Sequence, residues 1–170
     1  MLMNAKLIID GEELEAQIEI DEADLKAMQN EEKTGYERVG DSERYYWTGD
    51  DGSVYGSHEN EISADDLRYD TANYYSSYDV GKNNARADKL MRQLRRFAVE
   101  NRKDKIDWND GKKHKYNICC SYPTQEIFVD FESNCRNFEI YFDSCGVAER
   151  AIEEFKDELI WYFTEYKDSL

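Results

Sequence analysis

Two stretches of this chain repeat apolar residues at spacings of three and four for long enough to demand a covering partner. Between about Asn83 and Glu100 they are Ala87, Leu90, Met91, Leu94, Phe97 and Ala98, which is one face of a helix. Between about Ser144 and Tyr166 they are Val147, Ala148, Ala151, Ile152, Phe155, Leu159, Phe163 and Tyr166. Glu149, Glu153, Glu154, Asp157 and Glu158 fall on the other side of that second helix, with Asp143 or Ser144 as its N-cap. Most helical stability comes from burying such a stripe, so each helix needs a sheet or another helix against it.

The remaining chain supplies strands. Lys6–Ile9 and Leu14–Ile20 flank Asp10-Gly11-Glu12-Glu13, a hairpin signal, and Leu14, Ala16, Ile18 and Ile20 alternate with polar residues as in a half-buried strand. Asp21–Gln29 reads as a short helix capped by Asp21, and residues 30–35 as a linker. A second hairpin is expected from Glu43–Thr48 and Ser53–Tyr55 around Gly49-Asp50-Asp51-Gly52. Gly56–Asp66 lacks periodicity and is expected to be loop, with one helical turn near Ala64–Leu67, and Asn73–Ser76 to be a short strand. Tyr116–Tyr122, Glu126–Phe131 and Asn137–Phe142 read as three more strands. The predicted class is α+β: mainly antiparallel strands packed with two long amphipathic helices in residues 35–170, plus a small hairpin-helix unit in residues 1–34. A shift of 61 positions lays Ala87, Leu90, Met91, Leu94 and Ala98 over Ala148, Ala151, Ile152, Phe155 and Leu159, which two related strand-strand-helix halves would explain.

Charge narrows the partners. The formal net charge is −16, divided as −15 over residues 1–80, +6 over 81–105 and −7 over 106–170. An acidic half of this size repels phosphate backbones and attracts basic surfaces. The first ten residues hold too short an apolar run for a signal peptide and no stretch approaches a membrane span, so the expected location is the cytoplasm of the cell that makes the protein. Cys119, Cys120, Cys135 and Cys145 lack C-x-x-C spacing and are expected to be free thiols.

Catalytic and metal readings find little support. The Gly49–Gly52 turn lacks the oxygen ligands that a calcium loop spreads over about twelve residues. Asp130 and Glu132 share a strand face and could hold magnesium, but nuclease chemistry needs further acids and usually a neighbouring lysine. Cys119 and Cys120 point to opposite strand faces, which opposes a zinc site with the other cysteines, His58 or His114. No catalytic residue, metal or cofactor is predicted.

Binding chemistry is better supplied. Tyr46, Trp47, Asp50, Asp51, Glu59, Glu61, Asp65, Asp66, Tyr74 and Tyr75 crowd one acidic region, and exposed aromatics among carboxylates suit a basic groove. The alternative surface is basic: Arg86, Arg92, Arg95, Arg96, Arg102 and Lys103, continued by Lys105, Lys112, Lys113 and Lys115 beside Trp108 and Tyr116. Such a stretch could hold nucleic acid by charge neutralisation and stacking.

Several motifs carry a resemblance. Arg44-Tyr45-Tyr46-Trp47 with Asp51-Gly52-Ser53-Val54, Leu67-Arg68-Tyr69 with Asn73-Tyr74-Tyr75, Ile106-Asp107-Trp108-Asn109-Asp110 with Lys115-Tyr116-Asn117-Ile118, and the run Ala148–Glu165 are involved. Over roughly residues 36–166 the chain resembles small accessory proteins carried by phages and mobile elements of Gram-positive bacteria. The resemblance brings no catalytic set. It implies an anti-defence role, because neighbouring genes of this kind often encode anti-defence proteins, including inhibitors of CRISPR nucleases. The expected function is a non-enzymatic acidic inhibitor or decoy that binds a basic, nucleic-acid-handling host protein such as a CRISPR or other defence nuclease. A nucleic-acid-binding accessory protein using residues 82–115 is the alternative.

Overall fold

A computed structural model describes residues 2–9, 12–19, 33–136 and 140–167. Contacts divide the chain into two compact units, Met1–Glu37 and Arg38–Leu170. In the first, β1 (Leu2–Ile9) pairs antiparallel with β2 (Glu12–Glu19), setting Ala5 opposite Ala16 and Leu7 opposite Leu14. Glu12 and Glu13, expected in the turn, lie in β2 opposite Ile9 and Ile8. The helix expected over residues 21–29 lies outside the described residues, as do residues 30–32 of the expected linker.

The second unit contains two runs of hairpin, bridge and helix in the same order. Its first half opens with β3 (Arg44–Thr48) and β4 (Val54–His58), an antiparallel pair closed by a turn in which the Gly52 N–H donates to the Gly49 carbonyl at 2.9 Å. Gly52 sits at φ +78, where a side chain would be strained. Helix α1 (Ser63–Asp70) follows, then Tyr75 bridges antiparallel to Tyr46, and α2 (Tyr78–Asn101) begins where the Ser77 hydroxyl accepts the Val80 N–H. The second half repeats the pattern with β5 (Lys115–Ser121), β6 (Glu126–Glu132), a bridge from Phe142 to Tyr116, and α3 (Cys145–Glu154) after Ser144. The protein is thus α+β, with each sheet among the described residues an antiparallel pair.

Several expectations change. Residues 63–70 are helix where one turn was expected, and the strand expected over 73–76 reduces to a single bridge at Tyr75; of the strand expected over 137–142, residues 137–139 lie outside the described set and Phe142 forms a bridge. Tyr75 and Phe142 are 67 positions apart, as are Ser77 and Ser144. The structural echo therefore has a different register from the overlay at 61, because a stripe that returns every three to four residues can be overlaid in several registers. The last helix is broken: Phe155 leaves helical geometry at φ −108, ψ 21, before α4 (Lys156–Trp161) and a π-helical turn over Tyr162–Tyr166.

The two apolar stripes meet in one core. Leu90, Leu94, Phe97 and Ala98 of α2 are buried with Phe142, with Val147, Ala148 and Ala151 of α3, and with Leu159 of α4. Ile118, Ile127 and Val129 of the β5–β6 pair pack against this core. No helix among the described residues is long and apolar enough to cross a membrane.

Candidate functional site

The acidic region turns much of its chemistry inward. Of the residues expected to meet a partner, Glu59, Asp65, Tyr74 and Tyr75 are buried. Tyr45 stacks on Tyr74 with centroids 4.0 Å apart, and its hydroxyl donates to Asp65 Oδ1 at 2.6 Å. The N–H groups of Asn60 and Ile62 donate to Asp65 Oδ2 at 3.0 and 3.4 Å, while Arg68 donates to the Tyr45 hydroxyl. Glu59 accepts two bonds from Arg38, at 3.0 and 3.1 Å, with others from the Tyr74 hydroxyl at 2.8 Å and the Glu61 N–H at 2.9 Å.

The electrostatics follow the bonds. The Tyr45 hydroxyl holds the Asp65 carboxyl below its ordinary pKa, and Arg38 does the same for Glu59. Burial, then the bond to Glu59, pushes the Tyr74 hydroxyl up. Buried carboxylates are kept ionised by donors on every side, so these residues fasten the fold and cannot present charge to a partner.

Four of the acids expected at the surface remain outside. Asp50, Asp51, Glu61 and Asp66 are exposed, and Asp66 accepts a bond from Arg38 at 2.7 Å. Half-buried Trp47 lies between the Tyr55 ring at 5.2 Å and the Arg68 guanidinium at 4.3 Å, and half-buried Tyr46 meets the Tyr78 ring at 5.4 Å. Helix α1 is inverted: Asp65 and Arg68 face the hairpin, while Leu67 is 64% exposed and the preceding Ile62 53%. Asn73 ties the far end of α1 to the hairpin turn, donating to the Thr48 carbonyl at 2.9 Å and accepting its N–H at 2.8 Å. Leu67, Tyr69, Asp66 and Asp70 are thus exposed on one helix whose far end is tied through Asn73 to Thr48, the last residue before the hairpin turn.

The basic stretch also divides. Arg86 pairs with Glu158 at 2.8 Å and lies 3.9 Å from the Trp161 ring centre, which ties α2 to α4. Lys115 is buried, its ammonium donating to the carbonyls of Asp110 at 2.6 Å and Ser133 at 2.9 Å. Arg92, Arg95, Arg96, Arg102 and Lys103 are exposed. Arg95 and Lys167 rim an apolar cleft of about 450 Å³ lined by Met91, Leu94, Ile118 and Phe142. Beyond the end of α2, Arg102, Lys105, Ile106, Trp108, Arg136 and Tyr141 line a second hollow of about 310 Å³. Among the described residues no group of three or more His, Cys, Asp or Glu side chains is placed to hold a metal ion.

No family model, curated protein or solved structure matches this chain.

Sequence reasoning missed Arg38 and Tyr45 as donors to two buried carboxylates, with Arg68 behind Tyr45, and Leu67 as an exposed apolar residue of α1. It also missed Arg136 and Tyr141 at the second hollow, because they lie beyond β6 while the other four lining residues precede β5. The one available signal was Leu67-Arg68-Tyr69, whose charge lies between two large apolar residues.

Proposed function

We propose that this protein is a non-enzymatic binding module whose acidic face, built on α1 and the adjoining hairpin turn, docks onto a basic protein. The observation that supports it is the inverted helix: Leu67 stands 64% exposed on the same helix as Asp66 and Asp70. Exposed apolar side chains ringed by carboxylates suit a basic groove, with the charges raising the encounter rate and the apolar residues slowing release. The buried pairs beneath hold this face rigid before it binds, which lowers the ordering cost of association. A basic groove of this kind is what nucleic-acid-handling proteins offer to phosphate. A host defence nuclease is the partner that fits the resemblance.

The test is affinity capture from host lysate, followed by binding kinetics on the recovered basic protein. Changing Asp50, Asp51 and Asp70 together to Lys should slow association about tenfold at low ionic strength and flatten its salt dependence. Leu67→Ala should raise the dissociation rate about tenfold with association little changed. Should Arg92→Glu, Arg95→Glu and Arg96→Glu abolish capture while the acidic reversals leave it intact, the binding face is the basic one and the proposal fails.

A further inference from the structure

The hollow beyond the end of α2 joins cations and aromatic rings that the sequence keeps far apart. Trp108 and Tyr141 meet at 86° with ring centres 4.8 Å apart, forming a right-angled aromatic corner. The Arg136 guanidinium lies 5.5 Å from the Trp108 ring centre, and Arg102 and Lys105 line the same hollow of about 310 Å³. Among the described residues none of these three cations forms an ion pair, although the chain carries a net charge of −16. Arg38, Arg68 and Arg86, by contrast, each lie against a carboxylate.

The corner is also held in advance. Buried Lys115 sits 5.5 Å from the Trp108 ring centre and is anchored by the Asp110 and Ser133 carbonyls. Asp143 Oδ2 accepts the N–H groups of Lys103 and Asp104 at 2.7 and 3.2 Å, fixing the loop that carries Arg102 and Lys105. A volume of this order is at the lower end for a small-molecule site. Three cations unpaired among the described residues suit an anionic ligand, and a right-angled pair of rings offers a flat heterocycle one face and one edge.

We propose that this hollow binds a nucleoside phosphate, its base against the Trp108–Tyr141 corner and its phosphate among Arg102, Lys105 and Arg136. The ligand could be a free nucleotide or a residue of a single strand, since both present the same base and phosphate. This site is separate from the acidic face and does not depend on the function proposed for it.

The test is calorimetric titration of the full chain at low ionic strength with AMP and with a short oligodeoxythymidylate. Binding of AMP identifies a nucleotide site, binding of the oligomer alone identifies a strand site, and either supports the proposal. Arg136→Glu and Lys105→Glu, both at exposed positions, should each weaken binding at least tenfold with an unchanged melting temperature. For the oligomer, each cation lost should reduce the log–log salt slope by about 0.7. Trp108→Ala should weaken binding about tenfold or more, and Trp108→Phe, which keeps a ring in place, should recover most of it. The proposal is overturned if neither probe binds, or if binding survives Arg136→Glu and Lys105→Glu and is lost in Arg92→Glu with Arg96→Glu.

Discussion

Asp65→Ala is expected to remove about 3 to 5 kcal/mol of folding stability, measured by urea denaturation, a large part of what a domain of this kind possesses. The side chain is 1% exposed, and its loss would leave the Tyr45 hydroxyl and the N–H groups of Asn60 and Ile62 without their acceptor and Arg68 without the carboxylate 3.8 Å away. Asp70→Ala, on the exposed side of α1, should change stability by no more than about 0.5 kcal/mol. Equal losses at the two positions would show that the network carries no stability. A pH dependence follows from the same bonds. Asp65 and Glu59 have folded pKa values below their unfolded values of about 4, so their stabilisation is complete above that pH. It is lost as pH falls through the folded values. The melting temperature should drop on acidification below about pH 4, and drop less in Asp65→Ala.

Phe142→Ala should cost about 3 to 5 kcal/mol through the second half of the unit. Phe142 is 1% exposed in the core with Leu90, Leu94 and Leu159, and its backbone exchanges hydrogen bonds of 2.7 and 3.0 Å with Tyr116. A cavity there would loosen the bridge and the next residue, Asp143, which fastens the loop bearing Arg102 and Lys105. Hydrogen exchange should therefore quicken at the amides of Phe142, Lys103 and Asp104 beyond any rise across α2 itself. Exchange at those three amides matching the wild type would break the link between the core and the loop.

The features legible in the sequence are those governed by local periodicity and turn chemistry. Leu90, Leu94 and Phe97 revealed α2, and the Asp-Gly pair at 51–52 revealed the β3–β4 turn. Helix α1 was illegible because its inward positions are Asp65 and Arg68 and its outward ones include Leu67, the reverse of the pattern that periodicity detects. Glu59 looked solvated because its donors, Arg38 and Tyr74, are 21 and 15 positions away. Alternation predicts that about half of the tyrosines near these acids are buried, but not that the hydroxyls of Tyr45 and Tyr74 are what allow Asp65 and Glu59 to leave water. The second hollow was half visible: the basic stretch identified Arg102, but only the return of the chain past β6 brings Arg136 and Tyr141 beside it.

The π-helical turn at Tyr162–Tyr166 lets the chain carry one residue more than an α turn would hold. Each α-helical residue advances the chain by about 100° around the axis, so an extra residue left in α geometry would swing everything after it by that amount. Widened into a π turn, the extra residue is absorbed, and Lys167 keeps the heading at which its ammonium approaches the Tyr162 and Phe163 rings to 5.4 Å each. Deleting one residue within the turn would therefore restore α geometry without re-aiming Lys167.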